Sequence, residues 1–262
     1  MKIFLSVFVL AVCPLLLEAV KIVSLSPALS EAVFLLGRGD LLIARSSACC
    51  RPEEITALPV AGAFGEIDAE RIISFKPDMV IADTVIDLSL IRPLEEAGIK
   101  FHLLPCGTFQ EYLDTLAELG SLTGAEQSVA EVIGDLEEER RLIEPLPVAV
   151  KTLWVVWQDP VIIAGENTLP DDVMQITGLV NTADIKGYFK PSAEWLLQCN
   201  AQLIIINQDA RELAGEEIFR YLPAVRRNRI IRLPADTPLE RPCREFITAV
   251  RELRDKIEGM LE

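Results

Sequence analysis

The chain has 262 residues, 50% hydrophobic and 25% charged, the composition of a folded globular protein with room for one large domain or two of about a hundred residues each. Forty acidic residues against 25 Lys and Arg leave a net charge of −15. That excess argues against nucleic acid or an anionic membrane as partner, since either would call for a basic patch, and it fits a cationic partner surface or simple solubility.

Lys2 precedes a mostly apolar run from Ile3 to Leu17, which reaches Ala19 just ahead of "VKIVSL". The run is short for a membrane span and reads as a secretory signal peptide over 1–19, cut near Ala19, which would make the mature chain periplasmic or otherwise exported. Leu17 stands at −3, where a small residue is the rule, so an uncleaved anchor or a buried N-terminal strand remains the alternative. Lipid attachment at Cys13 would want a small residue where Val12 stands. Cleavage leaves Cys49, Cys50, Cys106, Cys199 and Cys243, an odd number, so in an oxidising compartment at least one thiol stays free or pairs outside the chain. Without a C-x-x-C spacing, these cysteines read first as buried small hydrophobes.

From Lys21 onward, strand-length apolar runs alternate with helix-period segments: "KIVSL", a helix over 28–36, "LLIAR", a helix over 68–75, "MVIAD", a helix over 86–97, "KFHLL" and a helix over 109–122. Ser26-Pro27 supplies a helix start, with Ser as N-cap and Pro at the first helical position. Such alternation specifies βαβ units and a parallel sheet. The next segment, "GAEQSVAEVIGDLEEERRLIEPLP", keeps Val129, Val132, Ile133, Leu136 and Ile143 near helical spacing until Pro145 and Pro147. It predicts one stiff helix over 124–146, of which twenty residues would span about 30 Å; a flexible linker would be rich in Gly and Ser. The alternation then resumes with "KTLWVVW", helices over 168–177 and 192–199, "LIIIN", a short helix near 215–221, "RIIRL" and a C-terminal helix over about 240–259. The expected object is two α/β lobes with parallel sheets, 20–123 and 147–262, joined by a rigid helix, with a ligand cleft where the strand ends face each other.

The chain also repeats itself once. "DAERIISFKPDMVIAD" at 68–83 aligns without gaps on "SAEWLLQCNAQLIIIN" at 192–207, an offset of 124 residues that pairs Ala69 with Ala193 and Glu70 with Glu194. A single duplication is too short for a solenoid and suggests two lobes of related construction. A first-turn acid gains a few tenths of a kcal/mol from the helix dipole, which accounts for one Glu better than for a matched pair.

Catalytic motifs do not declare themselves. Gly37-Arg38-Gly39 follows a helix rather than a strand, and there is no P-loop, G-x-S-x-G or H-E-x-x-H. The single histidine, His102, lies inside the apolar strand "KFHLL" and reads as packed or hydrogen-bonded rather than as a ligand or base. One His also makes a bare zinc or manganese site poor. Binding is therefore favoured over catalysis.

Three stretches, "KIVSLSPALSEAVFLLGRGDLLIA", "RPEEITALPVAGAFGEIDAERIISFKPDMVIA" and "IIAGENTLPDDVMQITGLVN", resemble the periplasmic substrate-binding proteins of ABC importers for cobalamin, iron-siderophore complexes and haem, the helical-backbone class. The likeness runs from Lys21 to about Gly259 and is nearest to the cobalamin-binding members. It implies two Rossmann-like lobes joined by a long helix, a monomer without an intrinsic cofactor, no enzymatic activity, and cargo delivery to a dimeric transmembrane permease. It further implies that Glu70 and Glu194, one on each lobe, dock on permease arginines. For the pocket, the likeness puts Glu240 and Arg241 where a Glu-Arg pair touches the corrinoid, Phe64 at a pocket Trp position and Trp157 near a pocket aromatic; Cys50 and Asp83 depart from a pocket Tyr and Trp. The implied cargo is a corrinoid, with an iron-siderophore complex or haem as the alternative and Tyr188 as the best axial candidate for haem iron. Cys49, Cys50, Cys106 and Cys243 all map to loops at the cleft, where converging thiolates could hold a soft metal. From a different class, the same architecture serves Cys-ligated cluster or chelatase-type enzymes.

Overall fold

The computed structural model describes residues 20–63, 66–83, 88–207, 218–235 and 237–262. The expected signal segment, Phe64 and the start of the helix expected near 215–221 lie outside these residues. In the N-terminal half, β1 (Ile22–Ser24), α1 (Pro27–Leu35), β2 (Leu42–Ser46), β3 (Val60–Ala63), β4 (Glu66–Ile67), α2 (Ala69–Ser74), β5 (Met79–Ala82), α3 (Leu88–Glu96), β6 (Lys100–Leu103) and α4 (Phe109–Thr123) follow in order. After α5 (Glu126–Arg141) come β7 (Lys151–Gln158), β8 (Val161–Ala164), α6 (Leu169–Thr177), β9 (Val180–Asn181), β10 (Tyr188–Phe189), α7 (Ala193–Gln198), β11 (Leu203–Ile206), α8 (Pro223–Arg226), β12 (Ile230–Arg232) and α9 (Phe246–Leu261). None of the helices among the described residues is long and apolar enough to cross a membrane.

The first sheet has the order β4-β3-β2-β1-β5-β6, parallel except for the short antiparallel β4. The second runs β10-β8-β7-β11-β12, with β9 also on β7. Its central pairs β7–β11 and β11–β12 are parallel, but β8 and β10 add antiparallel pairs, so this sheet is mixed. The reason is local: β8 follows β7 after only Asp159 and Pro160, and a connection that short permits a hairpin but no crossover.

The sequence repeat extends into backbone geometry. Asp68 and Ser192 cap α2 and α7 by accepting from the N–H three residues on, at 2.9 and 3.1 Å. Lys76 and Asn200, at the same 124-residue offset, both turn left-handed, with φ 52° and 51°. Asp78 then accepts from Lys21 N at 2.7 Å and Gln202 from Lys151 N at 3.1 Å, locking β5 beside β1 and β11 beside β7 in the same register. Two side chains of different type thus set one geometry twice.

The connecting helix is narrower than the expected 124–146. Gly124, left-handed at φ 67°, terminates α4, and α5 runs only from Glu126 to Arg141, a length of about 24 Å at 1.5 Å per residue. The chain leaves helical geometry after Leu142, before the prolines are reached, and Leu146 N donates to Thr177 O at 2.9 Å. Nor is α5 a free-standing strut. It packs on α4 and α9, and α9 packs on α6, so one apolar core runs unbroken from Ile22 in β1 through Leu136 in α5 to Ile257 in α9.

Candidate ligand cleft and its seam

Helices that follow parallel strands begin at the strands' C-terminal ends, so the starts of α1, α4 and α9 and the loops after β2, β5 and β12 gather between the two sheets, and the start of α6, which follows the antiparallel β8, joins them through Asp172. Contacts across that gap are specific. The rings of Phe109 and Phe246, at the first positions of α4 and α9, stack with centroids 5.6 Å apart, and the Arg140 guanidinium of α5 sits 5.5 Å over the Phe109 ring. Phe109 N donates to Asp172 Oδ2 of α6 at 2.6 Å, so a carboxylate of one half caps a helix of the other. Burial raises the pKa of Asp172 although this bond and Arg140 favour its charge.

Two Arg–Glu pairs flank the stack. Arg241 places Nε and Nη2 at 3.0 and 2.9 Å from Glu31 Oε1 of α1, and Arg244 forms a fork on Glu139 of α5, with Nη1–Oε2 at 3.0 Å and Nη2–Oε1 at 2.6 Å. Burial pushes the Glu31 carboxyl up, against the pull of Arg241 and Arg51 and with the help of Glu245. The hydrogen bonds from Arg244 pull the more solvated Glu139 down.

Arg241 is engaged with Glu31, and it lies in an irregular loop because α9 starts only at Phe246 rather than near 240. Glu240 is exposed in the same loop, its N–H donating to Thr237 O at 3.2 Å. Asp83, half-buried after β5, accepts from the Ser26 hydroxyl at 2.5 Å. Cys50 is exposed in the loop after β2. Trp157, 51% exposed near the C-terminal end of β7, turns its indole N–H to its own hairpin at Asp159 O, 2.9 Å away. Tyr188 is exposed on β10. Glu70 and Glu194 are both exposed in the first turns of α2 and α7, with Glu194 accepting from Gln198 at 3.2 Å.

The thiols do not converge. Among the described residues no three His, Cys, Asp or Glu side chains gather to hold a metal, and the five cysteines described are free. Cys49 is buried 3.2 Å from the Ser46 hydroxyl at the end of β2. Cys106 and Cys243 are buried near Tyr112, and desolvation pushes each thiol up to about 12, so neither offers a ready thiolate. The residues sequence reasoning missed are Glu31, Arg51, Glu139, Asp172 and Arg244. Glu31 alone left a signal, as the only charged side chain of α1.

With the two-sheet frame and its inter-sheet gap in place, comparison with known proteins has a definite answer. Residues 22–237 match the family described as Periplasmic binding protein. The chain belongs to this family. It is 24% identical over 254 residues to an uncharacterized ABC transporter substrate-binding lipoprotein of Bacillus subtilis, covering 92% of this chain and 80% of that one. It is 23% identical over 250 residues to a vitamin B12-binding protein of Vibrio parahaemolyticus, covering 92% and 90%. In fold, this periplasmic binding protein is similar to the periplasmic heme binding protein HutB of Vibrio cholerae, with a TM-score of 0.80, 17% identity, and 92% and 99% of the two chains covered.

Proposed function

We propose that this periplasmic binding protein is exported, captures a corrinoid between lobes 20–123 and 147–262, and delivers it to the transmembrane permease of an ABC importer. The observation that carries the cargo assignment is the scarcity of imidazole. The chain's only histidine lies in β6 with Nδ1 3.9 Å from Glu118, and Tyr112 is fully buried. Haem iron is held by an axial protein ligand, whereas a cobalamin carries its lower axial nitrogen on its own nucleotide tail. Similarity to vitamin B12-binding proteins over nine-tenths of the chain supports the same reading. Haem is the second reading, favoured by the exposure of Tyr188 on β10, with an iron-siderophore complex beside it. The protein acts as a monomeric carrier with no intrinsic cofactor and no catalytic role; a Cys-ligated enzyme would need thiols that converge, and these do not.

Titration of the mature protein with cyanocobalamin, cobinamide, haemin and a ferric siderophore tests the cargo. Trp154 is buried in the second sheet and Trp195 packs edge-on against Phe189 at 5.1 Å, so ligand-dependent quenching should come from exposed Trp157 and disappear in Trp157→Phe. Saturable quenching by the iron compounds alone would overturn the corrinoid assignment.

Delivery rests on Glu70 and Glu194 as a two-point electrostatic key for cationic permease side chains. Reversing both, Glu70→Lys with Glu194→Lys, should reduce uptake in proteoliposomes at least tenfold while each single reversal has a smaller effect. Full uptake by the double variant would remove these residues from docking.

A further inference from the structure

Glu31 sits only 13% exposed in an otherwise uncharged helix, and its carboxylate holds Arg241, itself only 20% exposed, across the gap. Arg51 from the loop after β2 and Glu245 at the start of α9 also act on that carboxylate. Two cations and two anions therefore share one small region and cancel. Resting on the cleft as the cargo site, we propose that Glu31 is a specificity-determining residue, which makes the cleft accept chelates bearing neutral carboxamides and refuse those bearing free carboxylates.

The chemistry follows from what the pair exposes. An Arg–Glu pair offers donors and acceptors side by side. A primary carboxamide matches both at once, its oxygen accepting from the guanidinium and its N–H donating to the carboxylate. A carboxylate can use only the guanidinium, and reaching it brings two anions together in a region from which water is largely excluded, where like charges repel strongly. Corrinoids carry their periphery as amides, and porphyrins carry propionates. Selection of this kind acts through repulsion of the wrong ligand as much as through attraction of the right one.

Matched ligand pairs test the inference without depending on which macrocycle is bound. The probes are cyanocobalamin against its monocarboxylic acid derivatives, and haemin against its bis-amide, titrated at two salt concentrations into wild type, Glu31→Gln and Arg241→Gln. Wild type should prefer amide to acid at least tenfold in whichever macrocycle it binds. Glu31→Gln should bring that preference to about unity or invert it, with acid binding weakened by salt, and Arg241→Gln should raise it further, since an unneutralised Glu31 then faces the acid. Opposite movements cannot come from loss of structure, and the neutral Gln keeps the hydrogen-bonding shape of Glu. An acid-to-amide ratio within twofold of wild type in both variants would overturn the role of Glu31 while leaving the cargo reading intact. Binding of neither macrocycle would overturn both.

Discussion

Two ion pairs of identical chemistry lie three residues apart on the approach to α9, and their carboxylates move in opposite directions. Arg241 holds Glu31 and the carboxyl pKa rises; Arg244 holds Glu139 and it falls. The difference is water. Glu31 is only 13% exposed, and losing hydration costs its charged form more than one guanidinium restores, while Glu139 is 27% exposed and loses less hydration, so the fork from Arg244 decides its titration. An Arg–Glu contact drawn at 3 Å is therefore not one kind of interaction.

Removing one partner from each pair should separate them most widely. Glu31→Ala leaves the Arg241 guanidinium without its main partner and is expected to cost about 3 kcal/mol in urea unfolding, within the range for breaking a buried pair. Arg241→Ala should cost less, about 2 kcal/mol, because Arg51 still favours the Glu31 carboxylate once its partner is gone. Replacing both at once, Glu31→Leu with Arg241→Met, should return stability to near wild type, since neither desolvated charge remains. Glu31→Ala costing no more than Glu139→Ala would break the contrast.

Titration sharpens it. A carboxyl whose folded pKa is raised contributes most stability below its unfolded value and loses that contribution as pH climbs through the folded value; a depressed one contributes above the unfolded value and loses it as pH falls through the folded value. Glu31→Gln should therefore gain on wild type as pH rises from the ordinary value of 4.5 toward neutrality, and Glu139→Gln should close its deficit as pH falls below 4.5. Asp172 moves in the same direction as Glu31 but is present in both proteins, so it cancels in the comparison with wild type. Differences between variant and wild type, measured at four or five pH values, that run parallel for the two residues would refute the assignment.

What could be read from the sequence divides along the same line, between local and distant constraints. The strand and helix alternation and the 124-residue repeat are local, since caps, periodicity and a turn recur within about sixteen residues, and they survive even where Asp78 is exchanged for Gln202. The antiparallel β8 and β10 were missed because "VIIA" after a two-residue turn carries no helix to mark a crossover. What the connecting helix packs against was missed for a different reason. Helical spacing along 126–141 reports that a face is buried but not which element covers it, and α4 and α9 do. The seam was illegible, because Glu31 and Arg241 are 210 residues apart and no periodicity links them. Apart from the lone charge of α1, only a folded chain brings these groups together.

The smallest effect completes the contrast. Arg244→Ala removes a fork that is geometrically better than the contact of Arg241, with two separate nitrogen–oxygen bonds, yet its side chain is 39% exposed and Glu139 can return to water. Exposed pairs of this kind contribute about 0.5 kcal/mol after screening. The loss should also shrink when salt is raised from 0.05 to about 0.5 M, since the Debye length falls to a few ångströms. The Glu31–Arg241 coupling, shielded by protein, should change much less over the same range. Double-mutant cycles for both pairs at the two salt concentrations measure this directly, and equal salt sensitivity would mean that burial does not separate them.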